Sequence, residues 1–381
     1  MTKRRLNGEG SITWRKDRNL WMGRVTHDGR RVPVFDKSKD ELKRKIRDVL
    51  TKQDQGNSLV TANTPLRKYL PEWLEFTKNR LRLSSYSGYE VVVRVHLIPR
   101  LGHIKLNRLT PEHITRVWHQ MLKDGNSASV VEYCQRRLSK ALNDAVKRQL
   151  IYRNPCQLVT PPKAQPKEMR LLELQEINHL LEVANGSEYY GIIHTALYTG
   201  LRRNELLALR WKDIDMNEAV IFLSRSLYMD KGGVTIYQPP KTAKGRRSVA
   251  LTPSSAIFLK RLRQQQELDG LFHGYEVNEE SLVFRYRTGS PMLPRAVSNV
   301  CKRIAEHAGL EGYRFHDNRH THASLMLRQG VHPKVVQERL GHAKVATTMD
   351  VYSHVMPSLQ QEAVQKFDLA LETVELAPHL T

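Results

Sequence analysis

The residues with the clearest chemistry lie in the last quarter of the chain. Phe315-His316-Asp317-Asn318-Arg319-His320 is followed by Leu340-Gly341-His342 and then by Tyr352. Histidine, arginine and tyrosine in that order can move protons, hold a phosphate and supply an oxygen nucleophile, a set suited to covalent chemistry at a phosphodiester. His316 and Arg319 are spaced i, i+3, so on a helix they share a face and reach one phosphate. Pro333 opens and Gly341 closes the next helix, which leaves His342 on a turn and Tyr352 on a short helix beyond it.

Two upstream segments can complete such a site. In Thr199-Gly200-Leu201-Arg202-Arg203-Asn204-Glu205, Gly200 caps one helix and Arg202 opens the next. A guanidinium there adds to the positive pole of a helix N-terminus, which suits a phosphate. Glu205 lies on the same face and can hold an arginine in place, although the pair also reads as an ordinary surface contact. Pro240-Lys241-Thr242-Ala243-Lys244-Gly245-Arg246-Arg247 reads as a hairpin tip dense with cations, open to DNA contact or to simple solvation. Tyr313 is a rival nucleophile by position, but a core or DNA-backbone role suits it better. His316, His320 and His322 have the spacing to share an ion but no nearby carboxylate ligand, so neither metal nor cofactor is expected.

The composition names the class of partner. Lys and Arg number 61 against 39 Asp and Glu in 381 residues, a net charge of +22, with a pI near 10.0. The excess runs throughout; residues 1–60 carry 16 basic against 8 acidic side chains. A polyanion, nucleic acid first, is the expected partner. No apolar run approaches the ~18 residues of a membrane span, and no apolar segment follows the basic Met1-Thr2-Lys3-Arg4-Arg5 to make a signal peptide. Cys134, Cys156 and Cys301 show neither metal-ligand spacing nor a disulfide framework, which fits a reducing cytoplasm.

The elements that must position these residues fall into three groups. Strands over 11–15, 20–26 and 31–35, with Asp28-Gly29 in a hairpin turn and an edge-like strand at Pro33, precede a charged helix over 39–50. Gln55-Gly56-Asn57-Ser58 reads as a linker. Four helices follow. Thr64-Pro65 caps the first, which buries Leu66, Tyr69, Leu70, Trp73 and Leu74; the second opens at Ser84-Ser85 and ends before Pro99. Thr110-Pro111 caps the third, and the fourth runs over 129–150 with Val130, Tyr133, Leu138, Ala141, Leu142 and Val146 near helical spacing. Thr160-Pro161-Pro162-Lys163-Ala164-Gln165-Pro166-Lys167 is a second linker. The remainder is helical, with strands over 219–223, 234–237 and 247–251.

Thr199-Gly200-Leu201-Arg202-Arg203-Asn204-Glu205, Lys241-Thr242, His316-Asp317-Asn318-Arg319-His320, Leu340-Gly341-His342 and Tyr352 together resemble the signature boxes of the tyrosine recombinases, in order and approximate spacing. The resemblance implies a multidomain, mainly α fold. A small three-stranded sheet plus helix (1–58) resembles the arm-binding module of phage and conjugative-transposon integrases. A four-helix core-binding domain (62–157) and a mixed α+β catalytic domain with a C-terminal tail (168–381) follow. Tyr352 would attack phosphorus and form a 3′-phosphotyrosine. Arg202 and Arg319 would clamp the non-bridging oxygens, with His342 adding a hydrogen bond. Lys241, or Lys244 in its place, would protonate the leaving 5′-oxygen, and His316 would assist proton transfer at the tyrosine.

Trp14, Arg15, Arg24 and Arg30 of the first module, with Lys244 and Arg246 of the cationic loop, are the expected DNA contacts. The resemblance further implies double-stranded DNA with core and arm attachment sites, a homotetramer on it, a host DNA-bending protein and an excision factor. Leu359, Val364, Phe367 and Leu371 would pack on a neighbouring protomer, or in cis. Dimer resolution without integration, and a non-catalytic DNA-binding regulator, are the alternatives.

Overall fold

The computed structural model describes residues 12–27, 30–54, 63–164, 170–230, 232–240, 245–346, 348–349, 364–365, 367–369 and 371. The chain divides into two compact units, Met1–Pro166 and Lys167–Thr381.

The first unit opens with antiparallel β1 (Ile12–Arg15), β2 (Leu20–His27) and β3 (Arg30–Asp36), in that order across the sheet. His27 pairs with Arg30, so Asp28 and Gly29 are the two residues between the strands. Pro33 sits in β3, an edge strand, where its missing N–H costs no ladder bond. Helix α1 (Lys39–Asp54) buries Leu42 and Ile46 against Ile12, Trp21 and Val34. The approach is close: a Cβ at Gly23 would lie 2.4 Å from Ile46 Cδ1. The expected linker at 55–58 lies outside the described residues.

Helices α2 (Leu66–Lys78), α3 (Leu83–Val91), α4 (Ile98–Leu101), α5 (Pro111–Lys123) and α6 (Ala128–Lys147) follow. Three local expectations are corrected. Pro65, not Thr64, occupies the cap of α2, and no side chain caps it. The second helix does not stop before Pro99: a π-helical stretch, Val92–Leu97, joins α3 to α4. The wider turn accommodates the proline ring, and Arg100 Nη1 reaches the carbonyls of Val95 and His96 at 3.4 Å each. Helix α6 is capped by Ser127 and buries Val131, Cys134 and Gln135, so Val130, Tyr133 and Val146 fall at the margin of its buried face.

The polar atoms in this bundle are closed off internally. Trp118 Nε1 donates to Gln135 Oε1 at 2.7 Å, and Gln135 Nε2 donates to the carbonyls of Cys156 and Val159. Tyr69 donates to the Ala141 carbonyl, and Trp73 Nε1 to Asp144.

The second unit comprises α7 (Leu174–Ala184), α8 (Tyr190–Thr199), α9 (Arg203–Leu206), β4 (Ile214–Asp215), β5 (Val220–Leu223), β6 (Ser226–Met229), β7 (Thr235–Gln238) and β8 (Arg247–Ala250). Then come α10 (Pro253–His273), α11 (Pro294–His307), α12 (Asp317–Arg328) and α13 (Pro333–Leu340). The sequence reading missed the short strands β4 and β6.

It also mistook one connection. β7 pairs with β6, whereas β8 pairs with β5 in a separate sheet, so the cationic loop is not a hairpin tip. Pro239 and Pro240 follow β7 directly and cannot donate to a ladder, so the strand ends and the chain crosses to the other sheet. Asp213 is buried and paired to Arg210 at 3.0 Å.

Candidate active site

Helix α12 buries Asp317, Asn318, Arg319, Thr321, His322 and Ser324. A polar face turned inward is the informative kind of burial, because each such group needs a partner. His316 stands at the N-cap and Arg319 follows in the first turn. Arg319, 2% exposed, donates from Nη1 to the Gly200 carbonyl at 2.8 Å and from Nη2 to the Leu340 carbonyl. Gly200 ends α8 with φ +66°, and a Cβ there would stand 2.5 Å from Leu340 Cδ2 and 2.7 Å from His322 Cδ2. Both the backbone angle and the close approach demand glycine.

The C-terminus of α13 is the hub. Gly341 takes φ +66°; its N–H returns to the Glu338 carbonyl and that of His342 to Gln337, the paired bonds of a Schellman cap. The next three carbonyls go to three different guanidinium groups: Arg339 to Arg247 Nε at 2.6 Å, Leu340 to Arg319, and Gly341 to Arg202 Nη2 at 3.2 Å. Cations are drawn to the negative pole of a helix C-terminus, and this one holds three.

Glu205 ties two of them together. Its Oε1 accepts from Arg202 Nη1 at 2.8 Å and from Arg247 Nη1 at 3.2 Å. Its Oε2 accepts from the Arg202 backbone N–H and Arg247 Nη2, both at 3.0 Å. Burial alone would raise this carboxyl, but the Arg247 hydrogen bonds and the two arginine charges override it and hold it at about 2. Arg202, 38% exposed at its side chain, is therefore pinned from below with one edge open. The surface-pair alternative for Arg202 and Glu205 does not hold, since Glu205 is 5% exposed.

The histidines are held neutral. Burial, then the charges of Arg319 and Arg202, push His342 down to about 3. Its Nδ1 meets Thr348 Oγ1 at 2.9 Å, and its carbonyl accepts from Gln337 Nε2. His316 keeps an exposed edge, yet desolvation, then His320, Arg319 and Arg202, hold it below the usual range. His320 packs edge-on against it, ring centroids 5.1 Å apart. His322 turns away: Nδ1 meets the Leu197 carbonyl and Nε2 accepts from Arg339. With both nitrogens engaged, it does not share a ligand face with His316 and His320. Arg319 itself is pushed down to about 9, first by burial and then by Arg202.

Arg202, His316, Arg203, Asn204, Ser298 and Lys302 open on one cleft of about 570 Å³. Lys241, Lys244 and Tyr352 lie outside the described residues, as does the side chain of Arg30. Arg246 is exposed. In the first unit, Arg15 and Arg24 are exposed and Trp14 packs edge-on against Trp21 on the sheet, with Arg15 paired to Asp17 at 2.9 Å. Tyr313 is a core residue: it is 3% exposed, donates to Asn318 Oδ1 at 2.8 Å, and burial raises its hydroxyl well above the usual range. Val364, Phe367 and Leu371 are helical and exposed, and Leu359 lies outside the described residues.

Sequence reasoning missed Arg247, Arg339 and Thr348. Arg247 closes the cationic segment that reads as open to DNA contact or to solvation, but its side chain is 7% exposed. Strand alternation carried the signal, since 247, 249 and 251 share a face and Val249 and Leu251 are core residues. Arg339 donates to His322, Ala250 and Tyr198 beside the buried Val336 and Leu340.

Residues 168–358 match the Phage integrase family, and residues 66–122 match the phage integrase N-terminal SAM-like domain. The chain belongs to the phage integrase family. It is a site-specific recombinase that breaks and rejoins DNA strands. Among relatives of this integrase, the ICEBs1 integrase of Bacillus subtilis is 29% identical over 74% of this chain and 77% of its own length. An integrase of Saccharopolyspora erythraea is 25% identical over 96% of this chain and 97% of its own. The fold is shared with the Tn1549 transposon integrase solved with circular-intermediate DNA (TM-score 0.69, 20% identity, 80% of this chain and 99% of that one). It is shared too with a lambda integrase tetramer on a Holliday junction (TM-score 0.59, 17% identity, 91% and 96%). Among the described residues no helix is long and apolar enough to cross a membrane.

Proposed function

We propose that this integrase cuts DNA by attack of Tyr352 Oη on a backbone phosphorus, integrating and excising a phage or other mobile element. The observation that carries the reading is the placement of Arg202, Arg319 and His342 about one helix terminus, the arginines anchored on adjacent carbonyls. Planar guanidinium forks match the non-bridging oxygens and stabilise charge as it develops in the transition state. His342 adds a hydrogen bond from Nε2 in the tautomer where Thr348 donates to Nδ1.

Proton movement follows from the same environment. A tyrosine hydroxyl ordinarily ionises near ~10, so it must lose its proton during attack. His316, held neutral, is the acceptor. The O5′–P bond breaks as the Tyr352 O–P bond forms, and Lys241 gives its proton to the departing 5′-oxygen; Lys244 is the alternative donor. A 3′-phosphotyrosine and a 5′-hydroxyl result. Because one phosphate ester replaces another, a second 5′-hydroxyl can reverse the step without ATP.

Residues 1–58 and 62–157 serve as arm-type and core-type DNA-binding modules. Trp14, Arg15, Arg24 and Arg30 make the arm contact, and Lys244 and Arg246 contact DNA near the site. The active species is a homotetramer on two duplexes in the cytoplasm of a bacterial host, at the nucleoid, with the tail beyond 357 packed between protomers. A host bending protein and an excision factor set direction.

Nicked attachment-site DNA incubated with the protein without divalent metal tests the chemistry. A covalent protein–DNA adduct is expected from the wild type and none from Tyr352→Phe. An adduct that persists in the variant, or activity that strictly needs Mg²⁺, overturns the mechanism.

A further inference from the structure

The cleft beside Arg202 and His316 continues past them to Arg203, Ser298, Asn299, Lys302 and Arg314. Most cations along it have an acid of their own. Arg202 is paired with Glu205 at 2.8 Å, Arg314 with Asp317 at 3.1 Å, and Lys302 with Glu306 at 3.3 Å. Arg203 differs. Its Nε donates to Asn204 Oδ1 at 3.1 Å and its Nη1 to Ser298 Oγ, both neutral partners. Among the described residues no carboxylate is paired with it.

A half-buried guanidinium without a counter-charge is costly to desolvate. Among the described residues of this unit Arg319 shares that condition: it is buried, and its hydrogen bonds go to the neutral carbonyls of Gly200 and Leu340. Asn204 and Ser298 fix the orientation of the Arg203 fork without neutralising it, so the charge is preserved for a ligand. The ligand is an anion that lies along the same cleft as the one held by Arg202.

We propose that Arg203, oriented by Asn204 and Ser298, binds a second backbone phosphate of the DNA, next to the one cleaved, and so sets the strand's register in the site. The proposal rests on the reading that the cleft takes DNA at Arg202 and His316. A flanking phosphate fixed by a planar fork would hold the scissile phosphorus in line, which is how remote binding is converted into orientation.

A scan of neutral methylphosphonate linkages, one at a time across a duplex carrying the core site, tests it. Wild-type protein and Arg203→Gln are compared by equilibrium binding in the Tyr352→Phe background, so the readout does not need the nucleophile assignment to be correct. In the wild type, the neutral linkage under Arg203 weakens binding by roughly tenfold to a hundredfold. In Arg203→Gln that one penalty disappears while the penalties at other linkages remain. Its log K against log salt slope becomes shallower by about 0.9.

Arg203→Met keeps the apolar stem and replaces Arg203→Gln if the latter melts early. Ser298→Ala, which removes only the orienting hydroxyl, should shrink the same penalty without abolishing it. An unchanged methylphosphonate profile in the Arg203 variants, or a change confined to the scissile linkage, overturns the proposal. A covalent adduct that persists in Tyr352→Phe in the separate test, with this scan intact, would instead count against Tyr352.

Discussion

Trp118 in the first unit and Arg319 in the second are each 2% exposed, and they are held in opposite ways. Trp118 buries an apolar ring and passes its one N–H to Gln135, whose amide is in turn bonded to two carbonyls. Folding alone completes that set. Arg319 buries a charge among carbonyls, with Arg202 and Arg247 nearby and Glu205 the one acid acting on it. Its cluster retains net positive charge, three guanidinium groups about one carboxylate. One unit satisfies its buried polar groups internally, and the other keeps an excess of buried positive charge.

Removing the shared acid should separate the two units most sharply. Glu205→Gln leaves Arg202 and Arg247 facing each other without a counter-charge. We expect a loss of about 3–5 kcal/mol, the cost of breaking a buried pair, and no recombination. Calorimetry should show the second unit's transition falling while that of the helical unit stays in place. Equal shifts in both would mean that the units do not unfold independently.

A matched pair of glycine substitutions comes next. Gly200→Ala meets Leu340 and His322 as well as a positive φ, and should cost more than Gly125→Ala, where φ is +84° but nothing lies within 4 Å. The second change is expected to cost about 1 kcal/mol and leave DNA cleavage unchanged. Gly200→Ala should displace the carbonyl that orients Arg319 and slow cleavage as well. Equal destabilisation by the two would remove the close-packing account of Gly200.

Acid provides the gentlest discrimination. His322 and His342 are held down to about 4 and about 3, against an ordinary 6.5. The unfolded chain therefore takes up protons first as pH falls, and folded stability is lost progressively from about 6.5 toward those values. Glu205, held at about 2 against 4.5, adds a further loss below 4.5. The first unit has the partly buried His96, also lowered, mainly by desolvation and then by Arg100. Melting temperatures followed from pH 7 to 5 should fall further for the second unit than for the first.

Where a residue's pattern and its partners were both local, the fold and site were legible in the sequence. Gly200, Arg202 and Glu205 could be read from one helix cap, and Pro333 to His342 from another. The first module's sheet followed from alternation around Asp28-Gly29. Contacts between distant segments were not legible. Arg247 looked like one more cation in a basic loop, because its acceptors, the Arg339 carbonyl and Glu205, are each dozens of positions away. The π turn before Pro99 escaped for a related reason: proline announces a break, while the surrounding packing of Val92, Val93 and Leu97 decides whether the helix resumes.

The change of sheet between β7 and β8 alters what the connecting segment is mechanically. A hairpin tip moves as a lever with its single ladder, and each added residue shifts the pairing register. Here β7 and β8, on either side of residues 239–246, belong to separate sheets, so the register of one ladder does not set that of the other. Arg247 ties the start of β8, through Glu205 and the end of α13, to the same helix terminus that holds Arg202 and Arg319.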